Sequence, residues 1–545
     1  MEYIFVLQRV KFQFNRFTTL TRATDFRLTY TFTFCRLPHK PSSMDVNIPR
    51  LKISHILWIC LIGALVIRAL YQRWKYRKIY SLLASLPGPV PLPFVGASYI
   101  FAGTTRNNIC SKFKTFAKNY PGVAGLWERE EPHVVTSSRE VFNAILSSGN
   151  VEKTYHYEYF KMATRSMFSA VGAEWRFLRN IVNPSFRTNV LMLFDDSFYH
   201  HGEVFVDQLK QHVGGDGFDI FVPVHLCTID MICDNMVGTR ICAQENRSTR
   251  LSTAMLEAAE LIHERVFSLL LWPDLVYSLT GKRKLLDKLL YENQSVPRKI
   301  VEQRIKERKT AGGKKQNSGS PKIYLDRLLD SFDAGGLTKD QIVADVLDMF
   351  VAGTLTAAIT TAWVFKYLAL YPDTQERAYR EIKENCVDGE VKLNDVSKLT
   401  YIGMIIKETL RHCAIPLTSR NLTEDVKVRG MMTIPAGTNV VMCFHELHHD
   451  SKYWQRPGEF YPDHFSPANE RRRPKGTFNA FLSGPRVCPG NKYAMRTMKF
   501  LVASTLLRYK FSTDEKPPKD LREMEYRFVF MLYPLSGFRV KIQRR

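Results

Sequence analysis

The sequence predicts a mainly α-helical protein with small β-sheets and an N-terminal membrane anchor. Three observations carry this: a long uncharged apolar run from Ile56, helical periodicity through most of the remaining chain, and a few short strand-like runs. The clearest of those runs are Thr438 to Phe444 and Phe538 to Ile542.

The anchor comes first. Ile56 to Ile67 (ILWICLIGALVI) carries no charge, and Arg68 can snorkel while Ala69, Leu70 and Tyr71 prolong the segment. A span needs about 20 residues, so residues 53–71 are expected to cross a membrane. Arg73, Lys75, Arg77 and Lys78 follow, and the positive-inside rule then puts the rest on the cytosolic side. The competing readings are a buried core helix or a cleaved signal, but no small-residue cleavage site is evident. Ahead of the anchor, residues 1–43 hold seven basic side chains against Glu2 and Asp25. Such a segment fits a transit peptide, a disordered basic tail, or an upstream extension before a start at Met44. Its many Phe and Tyr residues are atypical of a transit peptide and favour the extension; a genuine transit peptide would direct the chain to the mitochondrion.

After the anchor, the prolines of Leu86 to Pro93 fix φ and forbid helix, giving a stiff spacer before a domain expected over residues 84–545. Lys306 to Lys322 is rich in Gly, Ser and Lys and reads as a surface loop. With 45% hydrophobic residues the chain can bury a large core, which excludes global disorder. Its net charge of +24 admits nucleic acid, anionic lipid or an acidic protein as partner. Without zinc-finger spacing or an RNA-binding aromatic signature, nucleic acid drops out. Ten cysteines with no C-x-x-C pair suit neither a disulfide framework nor a thiolate zinc site, and fit a reduced, cytosolic setting.

The most informative stretch is Phe481-Leu-Ser-Gly484-Pro-Arg486-Val-Cys488-Pro-Gly490. Pro489 suits the first position of a helix, so Cys488 is expected near its N-cap, where amides and the helix dipole favour an anion. Arg486 adds a cation two residues away, and both effects would lower the thiol's pKa toward the metal-binding thiolate. Gly484 and Gly490 allow close backbone approach to a flat ligand. Ala494, Met498, Leu501 and Thr505 then form a buried helical stripe.

This F-x-x-G-x-R-x-C-x-G pattern resembles the haem-binding loop of cytochrome P-450 enzymes at every fixed position. At about 5% usage per residue type, five fixed positions arise by chance about once in several thousand such chains. The resemblance implies a cytochrome P-450 fold, with Cys488 as thiolate ligand to the iron of haem b. Other motifs follow in the family's order. Glu408 and Arg411 sit three apart on one helical face and, in similar chains, lock to an arginine in a later P-E-R-F segment; here that segment is Pro462 to Phe465, so His464 stands in. A weaker, pH-sensitive lock is expected. Trp175 and Arg179 resemble the Trp-x-x-x-Arg pair that contacts a haem propionate, and Arg420 resembles a second propionate arginine.

A capping box, Thr338 with Gln341, starts a long central helix that can run to Tyr371, about 50 Å. In its middle Ala352-Gly353-Thr354-Leu355-Thr356 resembles the family's oxygen-binding segment. Gly353 permits a local opening, and Thr356 can donate a hydrogen bond to dioxygen or a relay water. Leu355 replaces the usual acid and cannot relay protons, so uncoupling, with peroxide released in place of product, is expected. The chain is most similar to the family-four clan of fatty-acid and xenobiotic hydroxylases, especially insect-type members. Many of these carry a glutamate at the Ala352 position that esterifies haem; alanine implies non-covalent haem.

Pocket residues by analogy are Phe160, Met162, Ala352, Leu417 and Thr418. The implied reaction is insertion of one atom of O2 into an apolar small molecule, with electrons from an NADPH-dependent flavin reductase at the endoplasmic reticulum. The reductase would dock on a basic face of Arg471, Arg472, Arg473, Lys475, Lys492, Arg496 and Lys499, unless that is simply a solvated surface. Competing readings, supported by Leu355, are a haem-thiolate isomerase or dehydratase and a non-catalytic haem-binding protein. His445-Glu446-Leu447-His448-His449 matches a zinc-protease pattern but follows a strand rather than lying on a long helix. Three glycosylation sequons, at Asn246, Asn293 and Asn421, would stay unmodified in a cytosolic domain.

Overall fold

The computed structural model describes residues 53–93, 95–161, 166–310, 321–386, 389–413 and 415–545. Residues 1–43 and Met162 lie outside them. The chain divides into two compact units, Met1–Val66 and Ile67–Arg545.

The first described element is the helix Ile53–Lys75, four residues longer than expected because nothing from Gln72 to Lys75 breaks it. From Ser54 it is long and apolar enough to cross a membrane, and its window is unburied. Within the larger unit, Arg68 donates twice to Glu130, at 2.7 and 2.8 Å, which fixes its guanidinium instead of leaving it to snorkel.

In the larger unit the expected helical dominance holds. The central helix starts at the predicted capping box, Gln341 N to Thr338 Oγ1 3.2 Å and Thr338 N to Gln341 Oε1 2.8 Å. It runs as Lys339–Phe350, a π-helical turn Val351–Leu355, and Thr356–Leu370, ending ahead of Pro372. By length and composition it too would span a membrane, but it is the core helix, with Ile359, Trp363 and Phe365 fully buried. Around it pack the helices Phe221–Ile232, Thr400–Cys413 and Asn491–Arg508, which share one hydrophobic cluster. The Lys306 to Lys322 segment begins helical rather than looped, because the helix Lys282–Thr310 continues through its first five residues.

A four-stranded mixed sheet stands beside this core. It comprises β1 (Val123–Glu128), β2 (Glu131–Thr136), β3 (Leu417–Asn421) and β4 (Asn439–Cys443), in the order β1-β2-β4-β3. The β2–β4 pair is parallel and the other two pairs are antiparallel. β4 realises the predicted Thr438 to Phe444 strand. The Phe538 to Ile542 run appears shifted, as Arg539–Arg544, and pairs with Tyr509–Ser512.

Candidate haem site

The cysteine loop is shaped by backbone bonds. Cys488 N donates to Phe481 O at 2.9 Å and Val487 N to Gly484 O at 3.1 Å. Gly484 sits at φ +71°, and a Cβ there would lie 1.7 Å from Leu146 O, so only glycine fits. Gly490 is less constrained, its Cβ position being 3.7 Å from the nearest atom, on Phe186. The helix after the loop begins at Asn491 with Gly490 as N-cap, so Pro489 is not its first residue and Cys488 precedes the cap by two.

The expected thiol chemistry is altered in two respects. Burial raises the Cys488 pKa, while the amides of Gly490 and Asn491 and the Arg179 guanidinium work against that rise. Arg486 is not the cation facing sulfur. It donates to Val151 O at 3.0 Å and Ala170 O at 2.7 Å, and lies 4.2 Å from the Trp175 ring centroid, stapling the loop to its neighbours. Arg179, from the helix Gly172–Val182 that also carries Trp175, donates to Val487 O at 2.6 Å.

Buried positive charge gathers beside the loop. Arg420, on β3, is 2% exposed; its Nη1 donates to Ser419 O at 2.8 Å and its Nη2 has no partner. Arg179 Nε is likewise buried without a partner. Lys153, which no sequence motif singled out, is held well below the ordinary lysine range by burial and then by Arg420 and Arg486. Burial and Arg420 push Arg486 down to about 9, with Glu152 the one carboxylate acting in the opposite direction. Uncompensated buried cations are costly, so this cluster suits a ligand bearing carboxylates. Haem, with its propionates and an iron that accepts a thiolate, fits these residues.

Across the site, the π-helical turn Val351–Leu355 opens the central helix around Gly353. Ala352 is exposed although most of the helix around it is buried. Thr356 Oγ1 donates to Ala352 O at 2.7 Å. Gly353 also packs closely: a Cβ would lie 2.8 Å from Ile232 Cδ1, so that side chain would have to shift. Leu355 is fully buried within the main hydrophobic cluster. His225, missed in the sequence, bonds Thr354 Oγ1 at 3.0 Å and Ser252 Oγ at 2.7 Å.

Glu408, Arg411 and His464 are brought together in one cluster. Arg411 donates to both Glu408 oxygens at 2.9 and 2.7 Å, and His464 Nδ1 lies 3.2 Å from each. Arg473 supports it, stacking 4.1 Å from the Trp454 centroid and donating to His464 O at 2.7 Å. It is therefore not a free member of the basic face. Arg496, paired with Asp195, and Lys499, bonded to Val396 O, are also tied down. Arg471, Arg472, Lys475 and Lys492 are exposed. His449 Nε2 bonds His412 Nδ1 at 2.9 Å, so the H-E-x-x-H sequence, on a five-residue helix, serves packing.

A cavity of about 200 Å³ is lined by Phe160, Leu417, Thr418, Phe168, Phe528 and Phe530 among others; Ala352 is not in its wall. Phe160, Phe168 and Phe530 form an aromatic cluster with His263.

A helical fold with a small mixed sheet, and a cysteine loop beside buried cations that suit carboxylates, is the arrangement of a membrane-anchored haem-thiolate oxygenase. The chain belongs to the cytochrome P450 family, whose model matches residues 86–537. It is 25% identical to cytochrome P450 4c3 of Drosophila melanogaster over 510 residues, covering 89% of this chain and 94% of the relative. Cytochrome P450 4V2 of Mus musculus is 29% identical over 514 residues, covering 90% and 97%. Cytochrome P450 4c21 of Blattella germanica is 27% identical over 476 residues, covering 85% and 94%. These relatives support a family-four P450, a haem monooxygenase that binds its haem iron through a cysteine thiolate.

Proposed function

We propose that Cys488 is the iron ligand and that the chain inserts one atom of O2 into an apolar small molecule of the fatty-acid, hormone, pheromone or xenobiotic class. Electrons come from NADPH through a flavin reductase, at the cytosolic face of the endoplasmic reticulum. The observation carrying this reading is the Cys488 loop set beside Arg420, whose buried Nη2 has no partner, with the half-buried cations Lys153 and Arg486 close by. When bound, haem would supply dioxygen activation, and the Cys488 thiolate that would hold its iron is the ligand type that favours O–O cleavage.

The chain's residues act around that chemistry. Arg420, Lys153 and Arg486, with Trp175 and Arg179, would hold the haem carboxylates, while Phe481, Gly484 and Gly490 would let the loop approach the ring. Thr356 holds a hydroxyl at the opened turn beside Gly353, able to donate once released from Ala352 O. Phe160, Leu417 and Thr418 exclude water and position an apolar substrate. Ala352 offers no carboxylate for an ester, so acid-acetone is expected to extract all the haem; haem staying with the protein would show a covalent link.

Arg471, Arg472 and Lys475, with Lys492 exposed beside Thr188, form the exposed part of the docking face. Oxygen-dependent product formation with reductase and NADPH is expected to fall several-fold between low and about 0.5 M salt, because exposed charges are screened. Salt-independent turnover would remove the docking role. The same assay reads hydrogen peroxide per NADPH, expected to be high because Leu355 is buried and apolar. Leu355 also favours a second reading, an isomerase or dehydratase that uses no dioxygen; product formed without oxygen would establish it. A normal reduced carbon monoxide spectrum with no turnover would point to a non-catalytic haem-binding protein.

A further inference from the structure

Away from the cysteine loop, one wall of the cavity brings together three side chains that no sequence motif connects. Glu128 ends β1, His133 lies on β2, and His156 follows in the segment after the sheet hairpin. Glu128 Oε2 is 2.9 Å from His156 Nε2 and 3.3 Å from His133 Nε2, and the three ligand atoms lie within 4.8 Å of one another. All three residues line the cavity, with side chains 16%, 2% and 15% exposed for Glu128, His133 and His156.

We propose that Glu128, His133 and His156 form a binding site for a divalent transition-metal ion of the zinc class. Four features support it. Two imidazoles and a carboxylate are a known zinc ligand set, and at Zn–N distances of about 2.0–2.1 Å a tetrahedral ion spaces its ligand atoms about 3.3–3.4 Å apart. The two Glu128–imidazole spacings need to open by only tenths of an ångström, and the two imidazole ligand atoms lie within 4.8 Å of each other. His133 Nδ1 donates to Glu131 O at 3.1 Å, which fixes the ring and leaves Nε2 to present a lone pair, as in many metal-bound histidines. That Nε2 is buried and makes no hydrogen bond, an orphaned group for which a metal is the natural partner. The outer residues are held as well: Tyr155 OH donates to Glu128 Oε2 at 2.6 Å, its ring stacks on His156 at 4.1 Å, and Trp272 packs edge-on to both.

Three protein ligands leave a fourth position, and since all three residues line the cavity a molecule there could reach it. It would take a water or an oxygen donor of a molecule in the cavity, adding a metal contact for a polar end to a mainly aromatic and aliphatic lining that also holds Lys153, His263, Thr418 and Ser419. The site uses none of the haem-contacting residues, so it stands or falls separately from the oxygenase reading.

The test uses the full-length, haem-loaded protein equilibrated with stoichiometric zinc sulfate, gel-filtered, and analysed for zinc per haem. One zinc per chain is expected in the wild type and in His200→Gln, an exposed control. His133→Gln and His156→Gln should retain at least tenfold less, with unchanged haem content. X-ray absorption at the zinc edge of the wild type should show only nitrogen and oxygen neighbours, including two imidazoles, and decides the matter even if a variant fails to fold. No zinc retained, zinc unchanged in His133→Gln, or sulfur in the coordination shell would overturn the site; the first would leave the cluster as a plain carboxylate–imidazole pair.

Discussion

Replacing Cys488 by serine is expected to abolish the thiolate Soret band in the reduced carbon monoxide spectrum and all oxygen-dependent product, while the polypeptide still folds. The hydroxyl has nearly the same shape but cannot supply an anion near neutral pH, so the electron push that favours O–O cleavage is lost. The loop does not depend on the sulfur for its shape. Cys488 N still donates to Phe481 O, Arg486 still bridges to Val151 and Ala170, and Arg179 still donates to Val487 O. Apoprotein stability should therefore move by no more than ~1 kcal/mol, the usual range for substitutions that break no buried network. Circular dichroism melting of the two apoproteins, read beside the spectra of the reconstituted ones, separates ligand loss from misfolding. A thiolate band persisting in Cys488→Ser would assign the ligand to another cysteine.

What could be read from the sequence was whatever is local along the chain. The capping box of Thr338 and Gln341, the Glu408–Arg411 ion pair one turn apart, and the placing of Trp175 and Arg179 on one helix depend on spacing within one element, and all three are present. The loop pattern around Cys488 likewise marked Gly484, but its reason came from across the fold, in the carbonyl of Leu146. Errors arose where a side chain could choose its neighbours. Arg486 is adjacent to Cys488 in sequence yet turns to Trp175, while Arg179, over 300 residues earlier, takes the place beside the thiol. Lys153 and the Glu128, His133 and His156 cluster carry no signal in the chain because their partners arrive from separate strands and loops. Leu355 was legible as a missing acid; that its side chain is sunk in the core was not, since a central helix can present any face until its neighbours are known.

The largest stability effect is expected at the lock. Glu408 and Arg411 have fully buried side chains, and Arg411 also donates to the carbonyls of His448, Pro457 and Glu459, each at 2.9 Å. Glu408→Gln would leave that guanidinium buried without its counter-charge, a loss of about 3–5 kcal/mol, against total stabilities of about 5–15 kcal/mol. Acid should attack the same region in two stages. Burial pushes His412 down to about 4 and His448 down to about 3 from an ordinary 6.5. A histidine depressed in the fold stabilises above its unfolded value, and that stability is lost as pH falls from 6.5 toward the folded value. Each contributes about 1.4 kcal/mol per pH unit within that window. Glu408 acts later: burial favours its protonated form, but Arg411, with His412 and His464, outweighs burial and holds the carboxyl well below 4.5. Its contribution is present above 4.5 and is lost as pH falls below that. The thermal midpoint of the holoprotein should therefore decline steadily from pH 6.5 to 5, before carboxylates titrate, and Glu408→Gln should start from a lower plateau yet retain this histidine-driven slope. A midpoint flat between pH 7 and 5 would show that the buried histidines around Arg411 are not the acid-labile element.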